Sequence, residues 1–382
     1  MRRVPKHNTR TARGGRIASP AAGHLTLQEI LSQPETWLET ARKFDQNSEL
    51  LREMHSFSQD GPWLFVACGS SYYLSRTIAA QWAKLLQVAC TAVPASELLF
   101  SRHETMKRTG ARQVALLSRS GKTTEVLRAA QWLKSEAVRT LGVTCSESSV
   151  LEELCTHTLK LPWADEKSMV MTRSFTSILL FFERLGAKLA GDAALVSALD
   201  ALPEKTATWL AAIADKIRAL GTKRRFADFV FLGQGAHYWL AQEAALKMTE
   251  MSSSYAQAYH TLEFRHGPKA IASDETLITF FLSEAAADEE ILLARELRKL
   301  GAATQVVANR ATPELRRASD LLVELGLNEP EYARMAMTAI PAQLLGLAVG
   351  LRKGLNPDIP KNLTHAVVLD SKNGAPGKRS GA

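Results

Sequence analysis

The segment SRSGKTT at residues 118–124 has the composition of an anion-binding loop. It follows an apolar run and precedes a helical pattern, and at such a junction backbone N–H groups and the helix dipole attract negative charge. The serine and threonine hydroxyls add donors, and Gly121 lets the backbone approach a ligand closely. The segment lacks the GxxxxGK[ST] form, so we do not expect a nucleotide-binding P-loop. Roughly three hydroxyls and two or three amides would suffice to hold a small sugar phosphate.

A second loop of this kind, CGSS at residues 68–71, follows an earlier apolar run. For either loop the alternative is that the hydroxyls only cap the helix that follows, which is worth about 1 kcal/mol. Two such loops at adjacent strand ends favour an anion site over capping alone.

A second group of polar residues lies on one predicted helix, with Glu243, Lys247 and Glu250 within two turns. Glu243 and Lys247 have the i, i+4 spacing of a surface ion pair, and we expect Glu243 to be a surface residue. Glu250 lies one turn past Lys247 on the same face, and the neighbouring residues 244–246 are apolar. A carboxylate on a partly buried face is costly unless it is paired or used.

Glu250 and His266 have the chemistry of an aldose–ketose isomerase. That reaction needs a carboxylate to carry a proton between C1 and C2 of an open-chain sugar, and an acid–base group to open the ring. His266 lies in the segment EFRHGPKAI at 263–271. The alternative for a histidine before Gly-Pro is an ordinary turn residue.

The elements that must position these residues are predicted to be alternating strands and helices of an α/β fold, because apolar β-rich runs alternate with helical patterns. Strands are predicted in the first half at 63–68, 88–93, 113–118, 140–145 and 157–162, and in the second at 227–233, 276–283, 304–309 and 320–326. Helices are predicted at 73–87, 123–135, 172–189, 240–251 and 288–300, with a linker around 191–203.

The two halves resemble one unit used twice. FVACGSS in the first half corresponds to FVFLGQG in the second, and ALLSRSGKTTE corresponds to TFFLSEAAADE. The second copy has lost the Ser and Gly pattern. We therefore expect one half to bind phosphate and the other to supply different groups.

Composition limits the class of protein. The chain has 382 residues, 46% hydrophobic and 23% charged, which fits two globular domains. Residues 1–16 carry six basic and no acidic side chains, a large part of the net charge of +8, and we expect a solvated tail rather than a nucleic-acid partner. No run predicts a membrane span or a secretory signal. The four cysteines lack CxxC spacing, so we expect no disulfide framework and a cytoplasmic location.

Six motifs together carry a family resemblance: QEILSQP, CGSS, SRSGKTTE, EAALKMTEM, EFRHGPKAI and NPDIPKNL. From about Leu27 to Asp370 the chain resembles the isomerase half of glutamine:fructose-6-phosphate amidotransferase and related sugar-isomerase (SIS) domain enzymes, including amino-sugar-phosphate deaminases. The resemblance implies two tandem doubly wound SIS domains, each with a parallel five-stranded sheet flanked by helices. The predicted division is a disordered basic tail at 1–24, a first SIS domain at 25–205, a second at 206–370 and a flexible tail at 371–382.

The resemblance also implies roles for individual residues. Glu250 falls on the isomerisation base, His266 on the ring-opening histidine and Lys247 on an active-site lysine. The phosphate-binding positions correspond to Ser71, Ser118, Ser120 and Thr123, with Arg119 where the family has glutamine. In the family the histidine crosses a dimer interface, so a homodimer with shared active sites is implied. No metal and no cofactor are expected; the expected ligand is a small sugar phosphate.

The chain departs from the family in two places. His365 stands where the family has a lysine that forms a Schiff base, although Lys361 or Lys247 could substitute. No cysteine follows Met1 and no glutaminase domain precedes the first SIS domain, so we expect no glutaminase activity. The sequence therefore predicts an isomerase or deaminase of a 6-phosphorylated amino sugar, of the glucosamine or galactosamine type. The alternatives are a fructosamine-6-phosphate deglycase and a phosphosugar-binding regulator without catalysis; the pair Glu250 and His266 favours an enzyme.

Overall fold

Buried apolar runs of the first half form a parallel sheet. The computed structural model describes residues 21–58 and 61–369, so the predicted tail at 371–382 and most of that at 1–24 lie outside the described residues. The strands are β1 Trp63–Ala67, β2 Cys90–Pro94, β3 Gln113–Leu117, β4 Arg139–Thr144 and β5 His157–Lys160, in the order β2-β1-β3-β4-β5. Every residue of β1 and β3 is buried, because helices cover both faces of the sheet.

Nine helices accompany this sheet within the described residues. They are α1 His24–Leu31, α2 Gln33–Gln46, α3 Ser48–Ser58, α4 Ser70–Leu85, α5 Ala95–Phe100, α6 Arg102–Thr109, α7 Thr124–Ser135, α8 Val150–Leu154 and α9 Arg173–Leu189. A 3₁₀ turn at Pro162–Ala164 joins β5 to α9.

The second half repeats the arrangement. Its elements are α10 Ala193–Lys223, β6 Asp228–Gly233, α11 Ala236–Ser252, β7 Ala256–His260, β8 Thr276–Phe281, α12 Ala287–Lys299, β9 Ala303–Ala308, α13 Pro313–Ala318, β10 Leu321–Glu324 and α14 Met335–Arg352. Three 3₁₀ turns lie at Leu262–Arg265, Pro268–Ile271 and Glu331–Arg334. The strand order β10-β9-β8-β6-β7 is that of the first sheet, counted from each half's own first strand. The predicted fold of two doubly wound parallel sheets is confirmed.

Two elements differ from the sequence prediction. The linker predicted around 191–203 is wrong for residues 193–203, which form the start of the 31-residue helix α10. Gly191 and Pro203 suggested breaks, but the Asp192 side chain accepts the Leu195 N–H and caps the helix. The strand β7 was not predicted, because the segment AQAYH at an edge of the sheet is only half-buried and has no apolar run.

The apolar helix α14 forms the core between the halves. It contacts α10 and α11 most extensively, and it also packs against α1 and α9. Two glycines allow the close approach to α11: a Cβ on Gly350 would overlap the backbone oxygen of Met251, and one on Gly346 would lie 3.2 Å from that of Lys247. The stretch Glu331–Arg352 is long and apolar enough to cross a membrane, but 94% of its apolar window is buried inside the protein. It is a core helix.

An unusual carboxyl group lies in the core of the first half. Glu183 of α9 is fully buried, and its Oε1 accepts a hydrogen bond of 3.0 Å from Gln81 Nε2 of α4. Burial raises the pKa of Glu183 from 4.5 to about 8. The folded protein therefore keeps this group protonated at neutral pH, where the unfolded chain would ionise it.

We expect Glu183→Gln to stabilise the protein increasingly as the pH rises. The stability that the protonated carboxyl contributes is fully present below pH 4.5 and is lost as the pH rises through the folded-state pKa of about 8. The glutamine variant cannot ionise, so its free energy of unfolding should exceed that of the wild type by roughly 2–4 kcal/mol near pH 8 and by little near pH 5. Urea denaturation at several pH values measures this difference. The control Glu147→Gln, which replaces an exposed glutamate, should show no such trend. A difference in unfolding free energy between Glu183→Gln and the wild type that stays constant with pH would contradict the raised pKa of Glu183.

Candidate active site

The two predicted anion loops lie side by side at the carboxyl edge of the first sheet. The segment 118–123 follows β3 and leads into α7, while Ser70 and Ser71 begin α4, directly after β1. Strands β1 and β3 are paired neighbours, so their carboxyl ends bring the two loops together. The strand order reverses at β1, because β2 is added on one side of it and β3 on the other. Open α/β sheets bind ligands at such a switch point.

Each hydroxyl of the loop at 118–123 has a partner within the loop. Ser118 Oγ lies 3.0 Å from Thr123 Oγ1, and the Lys122 N–H donates to Ser120 Oγ at 3.2 Å. Gly121 has φ +63°, and a Cβ there would overlap the Ser149 side chain, so the turn requires glycine. Thr123 precedes α7, but its side chain makes no capping hydrogen bond to the helix. Capping therefore does not account for this hydroxyl.

Arg119 links the loop to two distant segments. Its guanidinium donates through Nη1 to Glu166 Oε2 at 3.1 Å, and through Nη2 to the backbone oxygens of Met169 and His365, each at 3.1 Å. Arg119 and Glu166 are both buried. These contacts occupy two of the guanidinium nitrogens with acceptors of the protein itself. The bond to the His365 oxygen also holds the C-terminal segment around residue 365 against the loop.

Sequence reasoning missed Glu166. Its Oε1 accepts the backbone N–H groups of Thr172 and Ser174, at 2.8 and 2.7 Å, where α9 begins. One buried carboxylate thus organises the start of α9 and holds Arg119. It lies 47 residues from Arg119 in an irregular segment, and no local pattern pairs the two.

The three charged residues of α11 form a triad in which Glu243 and Lys247 are buried and Glu250 is half-buried. Lys247 is 1% exposed, its Nζ lies 3.4 Å from Glu243 Oε1, and it donates a hydrogen bond to Glu250. Burial alone would lower the pKa of Lys247, but the charges of Glu243 and Glu250 raise it above its ordinary value. The Lys247 side chain therefore remains protonated at neutral pH.

The prediction that Glu243 is a surface residue is wrong. Its side chain is buried, because α11 packs against α4 on one side and α14 on another. Burial raises the pKa of Glu243 to about 8, the Lys247 charge opposes this shift, and the Glu250 charge adds to it. Glu243 thus holds a proton at neutral pH, which leaves Glu250 as the anionic partner of Lys247.

The triad lies near both predicted anion loops. Ser70, at the start of α4, is near enough to Glu243 to moderate its raised pKa. The positive charge of Arg119 is close enough to Lys247 to act against its raised pKa. Groups from both halves of the chain therefore face each other across the α4–α11 contact.

Within the described residues, neither predicted site histidine is hydrogen-bonded or ion-paired to this triad. His266 is exposed, and among the described residues no hydrogen bond or ion pair joins it to Lys247 or Glu250. Its loop is fixed to α12, since Arg265 and Lys269 both pair with Glu296. His365 lies beside the loop at 118–123, with its Nε2 3.5 Å from the Glu166 backbone oxygen.

Comparison with known proteins identifies the family. Residues 56–187 and 227–349 each match the SIS domain. The chain belongs to the SIS-domain family. A glucosamine-6-phosphate deaminase of Thermotoga maritima, known from its crystal structure, is 32% identical, with 90% of this chain and 99% of that chain covered and a TM-score of 0.75. A tagatose-6-phosphate ketose/aldose isomerase of Escherichia coli, 21% identical, shares the fold with a TM-score of 0.79 over 93% of this chain and all of that chain.

The SIS relatives include longer proteins. The glutamine–fructose-6-phosphate aminotransferase of Methanothermobacter thermautotrophicus is 28% identical over 349 residues, which cover 91% of this chain and 58% of that protein. The chain thus spans about three fifths of the length of these curated relatives.

Proposed function

We propose that this SIS protein isomerises and deaminates a 6-phosphorylated amino sugar, of the glucosamine 6-phosphate or galactosamine 6-phosphate type. The observation that carries the proposal is the triad of buried Glu243, buried Lys247 and half-buried Glu250, near a loop of hydroxyl side chains. The similarity to a glucosamine-6-phosphate deaminase along 99% of that chain supports the choice of an amino sugar.

In the proposed reaction the phosphate is held by the hydroxyls of Ser71, Ser118, Ser120 and Thr123 and by the amides of their loops. The Lys247 ammonium and the Arg119 guanidinium add positive charge near this anion. Glu250 removes the proton from C2 of the open-chain aldose and returns it to C1. The C1 aldehyde becomes a hydroxymethyl group, and C2 becomes a ketimine of the substrate's own nitrogen. Water adds to this ketimine and expels ammonia, which leaves the ketose phosphate.

This route explains why a histidine is tolerated at position 365. The imine nitrogen comes from the substrate, so the enzyme needs no lysine to form a Schiff base. His365 is held beside the phosphate loop by its backbone contact with Arg119. In the proposed reaction it exchanges protons with the sugar or with ammonia and forms no covalent bond.

We further propose that His266 opens the sugar ring in the site of a second copy. It lies exposed on a loop fixed to α12, and among the described residues it has no hydrogen bond or ion pair with the triad of its own chain. An exposed, well-anchored loop can reach a neighbouring subunit, and a homodimer would then hold two shared sites. All four cysteines are free, which suits a cytoplasmic enzyme.

Loss of two loop hydroxyls should weaken substrate binding. Ser120→Ala combined with Thr123→Ala removes two donors and leaves Ser118 Oγ without its neighbour. The dissociation constant for glucosamine 6-phosphate should rise at least about tenfold, or 1.4 kcal/mol, in calorimetry. Ser135→Ala, at the opposite end of α7, is the matched control and should bind normally. Unchanged affinity in the double variant would remove this loop from the site.

Glu250→Gln should separate binding from catalysis. The amide keeps the shape of the side chain but cannot take a proton, so turnover should fall by about 10²–10⁴. Exchange of the C2 proton of glucosamine 6-phosphate in deuterated water should fall equally, while calorimetry shows near-native affinity. Glu204→Gln, an exposed glutamate of α10, should keep the native exchange rate. Exchange at the native rate in Glu250→Gln would refute the proposed base, and absence of exchange in the wild type would favour a binding regulator.

Mixed dimers should recover activity if the sites are shared. Glu250→Gln and His266→Ala subunits are each expected to be inactive alone. After subunit exchange a mixed dimer would contain one site with both native residues, so ammonia release should return to roughly a quarter to a half of the native rate. Differently tagged subunits, purified together, would confirm the mixed species. No recovery in confirmed mixed dimers would show that each site is built within one chain.

A further inference from the structure

A cavity of about 270 Å³ lies at the carboxyl edge of the second sheet. Its walls come from the segments after β8 and β9, the first turn of α11 and the start of α14; among them are His237, Ser283, Asn309, Arg310 and Arg334. Because the two sheets share one strand order, the segment after β8 occupies the place that the anion loop occupies after β3. The duplicated unit therefore presents a second strand-edge cavity where the first presents its phosphate loop.

The lining of this cavity is unsuited to phosphate. The segment LSEAAADE at 282–289 has neither the glycine nor the threonines of the first loop. The Ser283 N–H and hydroxyl donate to Glu290, at 2.8 and 3.2 Å, so both are occupied. Three carboxylates line the cavity, Glu284, Asp288 and Glu331, against two arginines. An anion would be repelled by this excess, whereas a neutral or cationic ligand would not.

Two buried groups leave hydrogen-bonding capacity toward a ligand. Arg334 is 3% exposed and pairs with Glu284, but its Nε has no acceptor among the described residues. A buried donor without a partner costs about 1–3 kcal/mol, which a ligand oxygen would recover. His237 is buried and its Nδ1 lies 4.0 Å from Glu331, and burial lowers the pKa of the imidazole, so it offers a neutral donor or acceptor.

We propose that this cavity is a second ligand site, which binds an unphosphorylated amino sugar. The ammonium of the sugar faces Glu331 and Asp288, a ring hydroxyl accepts from Arg334 Nε, and other hydroxyls reach Asn309. Apolar side chains that include Ile291 and Leu315 pack against the C–H face of the ring. The volume is at the small end of ligand pockets, which suits a monosaccharide and excludes a nucleotide.

Calorimetry on the full chain tests this site with glucosamine as the probe and glucose as the uncharged comparison. Glucosamine should bind with one site per chain, and glucose should bind at least about tenfold more weakly. Ala287→Leu fills the cavity from a half-exposed wall and should abolish glucosamine binding. Glu331→Gln removes one negative charge but keeps an oxygen for the Glu284 N–H, and it should weaken glucosamine at least about tenfold. Thermal unfolding checks that both variants are folded.

The double variant Ser120→Ala and Thr123→Ala separates this site from the proposed active site. It should leave glucosamine binding unchanged, because it alters only the first sheet's edge. No binding of glucosamine by the wild type, or binding that persists in Ala287→Leu, would overturn the proposal. Equal binding of glucose and glucosamine, with no effect of Glu331→Gln, would overturn its assignment to an amine. Each of these outcomes is independent of turnover, and thus of the proposed reaction.

Discussion

The burial of the Lys247 ammonium is the constraint on which the site depends. Transfer of an ammonium from water to a protein interior costs several kcal/mol, and only well-placed counter-charges offset it. Here Glu250, one turn after Lys247, supplies the counter-charge, and the Glu243 carboxyl lies 3.4 Å from the ammonium one turn before it. Lys247 is buried only because other elements cover α11. These elements are α4 of the first half and α14. The triad therefore exists only because the two halves pack together.

This packing also decides the protonation of the triad. Two carboxylates beside one ammonium would carry net negative charge, which would oppose a phosphate ester nearby. Burial raises the pKa of Glu243 to about 8, so the triad is close to neutral at pH 7 and becomes more negative above pH 8. Arg119 lies on the anion loop itself, where Glu166 balances its charge as Glu250 balances that of Lys247.

Local patterns predicted the anion loops and the face of α11, because a loop between a strand and a helix is defined by a few consecutive residues. They could not predict what covers that face. The i, i+4 spacing of Glu243 and Lys247 is the same in a surface pair and in a buried one, and only α4 and α14 distinguish the two. Glu166 was missed for the same reason, since its partner Arg119 lies on another element. The strand β7 is half-buried and polar, so periodicity gave no signal.

The equal strand order of the two sheets shows that the fold alone does not specify a ligand. Each sheet ends in a loop at the same topological position, yet the first carries oriented hydroxyls beside Arg119 and the second carries Glu284 paired with Arg334. Phosphate binding needs N–H and O–H donors without competing acceptors. In the second copy Glu290 takes the Ser283 donors, the glycine and threonines are missing, and carboxylates stand in the loop, so a donor-rich edge is replaced by an acidic one. Such a change leaves the strands and the core intact, because it lies outside the buried sheet.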